Sequence, residues 1–180
     1  MQTGDGDAAT LKRWAELAEE PDEIAVYSFE AALAPLVAAR LEGAELELDE
    51  TVERVRALAG RHEVTLAEGA GGLLVPVGRD WTIGDLAARL GLPVLVVARA
   101  GLGTVNHTLL TVREARRLGL DVCGVVLNGR EDLSSPTNGD LIETFGVPVL
   151  ARIPWLEGEI TPDRLRGLDL DVDVAVECVR

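Results

Sequence analysis

The chain has 180 residues, a length that favours a single domain over residues 1–180, and its 31 acidic against 17 basic residues give a net charge of −14. With 47% hydrophobic residues the composition is that of a folded globular chain and argues against disorder. An acidic surface repels phosphate backbones and anionic lipid, and only 3% of residues are aromatic, so nucleic-acid and membrane-surface roles are disfavoured.

Residues 7–18 read as a helix with Leu11, Trp14, Ala15 and Ala18 on one face, introduced by a polar Gly-Asp-Gly-Asp run. Pro35–Leu41 and residues 49–59 are further helical stretches, the second with Val52, Val55, Leu58 and Ala59 as its apolar face. From Glu63 the rhythm changes. Residues 64–67, 94–98, 122–127 and 149–153 are short apolar runs without polar alternation, the pattern of strands covered on both faces. Helical segments at Ile83–Leu90, 106–118 and 139–145 separate them. This alternation predicts an α/β fold, a parallel sheet wrapped by helices in the doubly wound manner. Gly91-Leu92-Pro93 and Gly146-Val147-Pro148 repeat one device, a helix-ending glycine and then a proline that opens a strand.

The apolar run over 92–98 is too short to span a bilayer, and the first ten residues contain no apolar signal core. Cys123 and Cys178 stand in apolar or terminal settings, which predicts a reducing, cytoplasmic setting and no disulfide framework. Lysine occurs once, as Lys12, so 16 of the 17 basic residues are arginine.

In open parallel sheets, ligands sit beyond the carboxyl ends of the strands. Four segments occupy such places. Glu68-Gly69-Ala70-Gly71-Gly72 joins a carboxylate suited to a hard cation with backbone that phosphate oxygens can approach closely. The same residues also read as a glycine-rich turn opened by a solvated glutamate. Gly101-Leu102-Gly103-Thr104-Val105-Asn106 leads into a helix whose free N–H groups suit a carboxylate or phosphate, or else forms a loop with Asn106 as helix cap. Asn128, before Gly129, carries an amide that can donate and accept, as an adenine edge requires; the simpler reading is a turn. Trp155 after Pro154 either flanks a purine or caps the core. Near the N-terminus Asp5 and Asp7 offer carboxylates, with helix capping by Asp7 the simpler reading. His107 reads as a helix-surface or partner-face residue, and His62 as a loop residue before a strand.

Taken together, these segments resemble the ATP-dependent dethiobiotin synthetase family. The resemblance rests on Gln2-Thr3-Gly4 with Asp7-Ala8, Tyr27-Ser28-Phe29, Glu68-Gly69-Ala70-Gly71-Gly72, Gly103-Thr104-Val105-Asn106-His107-Thr108, Val126-Leu127-Asn128 and Ile153-Pro154-Trp155-Leu156. They occur in the family's order along nearly the whole chain. The resemblance implies a P-loop NTPase fold and an enzyme of biotin synthesis that converts 7,8-diaminononanoate, CO2 and MgATP into dethiobiotin, ADP and phosphate. It further implies that Asp7 and Glu68 bind Mg²⁺ and contact ATP, that Gly69, Ala70 and Gly71 line the nucleotide, and that Thr3 hydrogen-bonds the carbamate. Asn128 and Gly129, with Pro154, Trp155 and Leu156, would form the adenine pocket. Gly103, Thr104, Val105 and Asn106 would receive the substrate's carboxylate across a homodimer interface.

The sequence departs from the family pattern at its start. The family opens with a strand, a GxxxxGK[ST] phosphate loop, a helix and a second strand ending in Lys-Pro-Val; none of these is present. Lys12 lies in a predicted helix and cannot take the place of either family lysine, so no catalytic residue of that kind is assigned. The expectation is an N-terminally truncated domain lacking two strands and inactive by itself, with uncovered apolar surface and poor stability. An arginine-rich composition suits a GC-rich genome, where a GTG valine codon is readily taken as a start; a shortened chain or a partner supplying the loop are the other sources. Two further readings stay open: an amidoligase related to cobyrinic acid a,c-diamide synthase, and a non-catalytic nucleotide-binding homologue.

Overall fold

The computed structural model of the chain describes residues 2–3 and 6–168, with side chains from residue 6 onward. Gly4, Asp5, Cys178 and the side chain of Thr3 therefore lie outside the described residues. The chain divides into two compact units, Met1–Gly91 and Leu92–Arg180.

In the first unit, β1 (Gln2–Thr3) runs parallel to β2 (Ser28–Phe29). Helices α1 (Asp7–Ala15) and α2 (Pro21–Ile24) lie between them in sequence, and α3 (Pro35–Leu41), α4 (Leu48–Ala59) and α5 (Ile83–Leu90) follow. Helix α1 stops three residues before the predicted end. Glu16 turns left-handed at φ 53°, and the Leu17 N–H closes onto the Lys12 carbonyl at 3.1 Å. The core gathers Phe29, Ala38, Ala39, Leu46, Val77 and Trp81, and the Trp81 indole N–H donates to the Leu46 carbonyl at 3.0 Å. Helix α5 opens on a reciprocal cap: Thr82 Oγ1 accepts from the Asp85 N–H, and the Asp85 carboxylate accepts from the Thr82 N–H at 2.8 Å.

The strand predicted over 64–67 is not formed. No strand pairs with it among the described residues, and Val64 and Leu66 are 61% and 82% exposed. An apolar run becomes a strand only where a neighbour completes its ladder, and periodicity carries no information about that neighbour.

In the second unit, β3 (Val94–Arg99), α6 (Thr104–Arg117), β4 (Val122–Asn128), α7 (Ser135–Thr144) and β5 (Val149–Ile153) alternate, and α8 (Pro162–Arg166) follows. The strands pair in parallel in the order β3-β4-β5. Helices α6 and α7 pack against each other and share one face of this sheet, the arrangement that right-handed crossovers between successive neighbours produce. There Val96, Val112, Val125, Leu127, Ile142 and Val147 form the core. The expectation that these strands are covered on both faces does not hold for β3, where Leu95 and Val97 remain 41% and 64% exposed.

Both glycine-proline junctions appear as predicted, with Gly91 and Gly146 at φ 69° and 70° where most side chains would be strained. Helix α6 starts two residues earlier than expected, because Gly103 turns the chain at φ 90°. Helix α7 starts four residues earlier, since Ser135-Pro136-Thr137-Asn138 forms its first turn, where the N–H that proline lacks is dispensable. Arg99, Asn128 and Ile153 share one register row, so all three strands end at the same sheet edge. Among the described residues, no helix is long and apolar enough to cross a membrane.

Candidate functional site

Within the first unit, a cleft of about 840 Å³ brings together residues far apart in sequence: Asp7 from the start of α1 and Glu68, Gly69, Ala70 and Gly71 from the loop after residue 67. Asp7 is the first helical residue and Gly6 precedes it as cap, so the capping alternative for Asp7 does not hold. At a helix N-terminus the unpaired N–H groups favour its negative charge. Apolar side chains, among them Leu11, Leu17, Leu33 and Leu66, make up much of the wall. His62 Nε2 lies 2.9 Å from Glu19 Oε1 in the same wall. The other Glu19 oxygen and Thr65 Oγ1 are buried with no partner among the described residues. Of Thr3 only the backbone, in β1, is described.

The second unit carries the remaining predicted residues at its sheet edge. Gly103 caps α6; the Thr104 N–H turns back to the Gly101 carbonyl at 3.2 Å, while those of Val105 and Asn106 find no backbone acceptor among the described residues. Asn106 is the third residue of the helix, so it is not the cap. The Thr104 side chain is buried and its Oγ1 lies 3.4 Å from Thr108 Oγ1, so its hydroxyl is turned into the helix and the next two residues carry the open N–H groups. His107 is exposed on α6.

Asn128 closes β4, its carbonyl accepting the Ala100 N–H at 3.0 Å, and Gly129 turns the chain at φ 110°. Trp155 follows β5 and is 52% exposed, so it does not cap the core. The Arg130 guanidinium lies over its ring, 4.7 Å from the centroid. This contact joins the Asn128-Gly129 turn to the Pro154-Trp155-Leu156 segment.

A family model described as an AAA domain matches residues 1–162, a stretch drawn from both units. An ATP-dependent dethiobiotin synthetase of Anaeromyxobacter dehalogenans (strain 2CP-1) is 53% identical over 154 residues, covering 83% of this chain and 69% of the relative. That of Bacillus licheniformis is 41% identical over 175 residues, 94% of this chain and 74% of the relative. The chain belongs to the ATP-dependent dethiobiotin synthetase family. By family it is an enzyme, an ATP-dependent ligase of dethiobiotin synthesis. A dethiobiotin synthetase of Bacillus subtilis (strain 168), 38% identical over 84% of this chain and 68% of its own length, agrees with that placement. The three relatives carry the dethiobiotin synthetase name and none that of a cobyrinic acid amidoligase.

Sequence reasoning within this dethiobiotin synthetase family chain missed three residues. Arg130 carries no motif, and its role emerges only from its position over Trp155. Asp132 and Asn138 lie in a run rich in serine, asparagine and glycine that reads as plain turn. The Asp132-x-Ser134-Ser135 spacing was the available signal, since an aspartate commonly accepts the N–H two residues on.

Proposed function

We propose that the chain binds MgATP and 7,8-diaminononanoate and serves the ring closure that yields dethiobiotin. The observation that carries the proposal is the convergence of Asp7 with Glu68, Gly69, Ala70 and Gly71 on one cleft. Asp7 and Glu68 would supply hard carboxylate oxygens to Mg²⁺ at this cleft. Bound with ATP, that ion would neutralise phosphate charge. The glycines beside Glu68 let backbone approach the nucleotide. Asn128 reads the adenine edge with its amide, and Gly129, Pro154, Trp155 and Leu156 flank the base.

The turn at Gly103, Thr104, Val105 and Asn106 receives the substrate's carboxylate through the Val105 and Asn106 N–H groups, and Thr3 holds the carbamate. One amine takes up CO2 as a carbamate, whose oxygen accepts the γ-phosphoryl group. The second amine then attacks that carbon, expels phosphate and closes the cyclic urea. Donors that hold the carbamate in line lower the barrier by placement and charge stabilisation. The whole is a doubly wound P-loop NTPase domain acting in the cytoplasm as a homodimer. Leu102 and Leu110, 82% and 57% exposed beside the Gly103 turn, support a second copy docking there.

The phosphate clamp comes from outside these 180 residues. They contain no GxxxxGK[ST] stretch, and the sole lysine, Lys12, is paired with Glu20 at 2.8 Å. By themselves they bind nucleotide without turning it over. That second reading, binding without catalysis, is favoured by the engagement of Lys12.

The test compares the 180-residue chain with the same chain extended by the P-loop segment of the Anaeromyxobacter relative. Each is supplied with MgATP, bicarbonate and 7,8-diaminononanoate. Dethiobiotin is expected from the extended chain alone. Product from the 180 residues overturns the external clamp, and silence from a folded extended chain overturns the assigned reaction.

A further inference from the structure

We infer that Asp132 and Asn138 are positioning residues that hold the Gly101-Leu102-Gly103 turn in the shape that leaves the Val105 and Asn106 N–H groups without a backbone acceptor among the described residues. The inference rests on the proposed role of that turn and helix start in receiving the substrate's carboxylate.

The turn is fastened from two sides. Asp132 Oδ2 accepts the Leu102 N–H at 2.7 Å, 30 residues away in sequence. Its other oxygen accepts the Ser134 N–H at 2.8 Å and the Ser134 hydroxyl at 2.6 Å. Asn138, 4% exposed in the first turn of α7, donates from Nδ2 to the Ala100 carbonyl at 2.8 Å and reaches the Gly101 carbonyl at 3.3 Å. The same nitrogen lies 3.0 Å from Ser134 Oγ, which links the two fasteners.

Gly101 makes the approach feasible, because a Cβ there would stand 2.7 Å from Asp132 Oδ2. Backbone N–H groups serve as an anion site only while the turn before them keeps one conformation, since a donor that wanders loses directionality. The carboxylate of Asp132 takes the Leu102 N–H and leaves those of Val105 and Asn106 for a ligand.

The experiment measures binding of 7,8-diaminononanoate, and of the same vicinal diamine without its carboxylate, to the 180-residue chain and its variants. Asp132→Ala is expected to cut the preference for the carboxylate-bearing ligand about tenfold, as loss of a charged hydrogen-bond partner does. Asp132→Asn, which keeps an acceptor, should retain most of that preference, and Gly101→Ala should lose it by displacing the carboxylate. ATP affinity should stay unchanged in all three. Asn138→Ala should follow Asp132→Ala; if it does not fold, the surface Asp132 variants decide. Amide exchange gives a second readout, faster at Leu102 and its neighbours in Asp132→Ala but unchanged in the middle of α6.

If the unmodified chain shows no preference for the carboxylate, the anion-site reading falls and this inference with it. If that preference is present and survives in folded Asp132→Ala, the positioning inference alone falls.

Discussion

The Arg130 guanidinium covers the Trp155 ring at 4.7 Å from its centroid, tying the turn after β4 to the segment after β5. An exposed cation over indole contributes about 0.5–1 kcal/mol. The contact therefore steadies both segments without locking them. If these segments flank adenine, Arg130→Ala should weaken ATP binding about two- to fivefold, the equivalent of that energy. Titration of ATP against tryptophan fluorescence would measure it; unchanged affinity would remove Arg130 from the adenine site.

Asp7→Asn and Glu68→Gln should each raise the Mg²⁺ concentration needed for ATP binding, by about tenfold or more, because each removes a charged oxygen donor. Calorimetric titration at several Mg²⁺ concentrations separates this from a loss of binding without metal. An effect on metal-free binding alone would reassign both carboxylates.

The Asp132 carboxyl is held down to about 2 from its ordinary 3.8, first by the Ser134 hydroxyl and then by the Leu102 and Ser134 N–H groups. A depressed carboxyl stabilises the fold above its unfolded value and loses that contribution as pH falls through its folded one. Amide protection at Leu102 should be steady from neutrality to about pH 3.8, then decline towards pH 2. Asp132→Asn should abolish that step. A step persisting in this variant would assign it to another group.

Trp81→Phe removes the indole N–H from the Leu46 carbonyl within the core of the first unit. An unsatisfied buried carbonyl costs about 1–3 kcal/mol. Urea denaturation should show a lower midpoint with unchanged slope. An unchanged midpoint would mean that water satisfies the carbonyl.

Much of the second unit was legible in the sequence because its elements are local and self-consistent. Val149–Ile153 was predicted to the residue, and the two glycine-proline junctions announced where helices stop. The first unit was harder to read. Residues 64–67 have the composition of a strand, yet a strand is a relation between two segments and only one was visible. Asp7 and Glu68 were paired by the family resemblance alone, since nothing in their spacing joins them, and the fold shows that they line one cleft. The loop fasteners were invisible for the same reason: Asp132 meets Leu102 across 30 residues, a pairing that no periodicity encodes.

The exposed Val64 and Leu66 also bear on how the chain behaves at high concentration. A short β-branched and apolar stretch held open to solvent invites the same stretch of another copy to stack on it. Glu63 and Glu68 stand at its two ends. Negative charges in that position act as gatekeepers, since stacking copies in register would bring like charges together. Low salt should keep the protein dispersed through this repulsion, and screening by added salt should favour self-association.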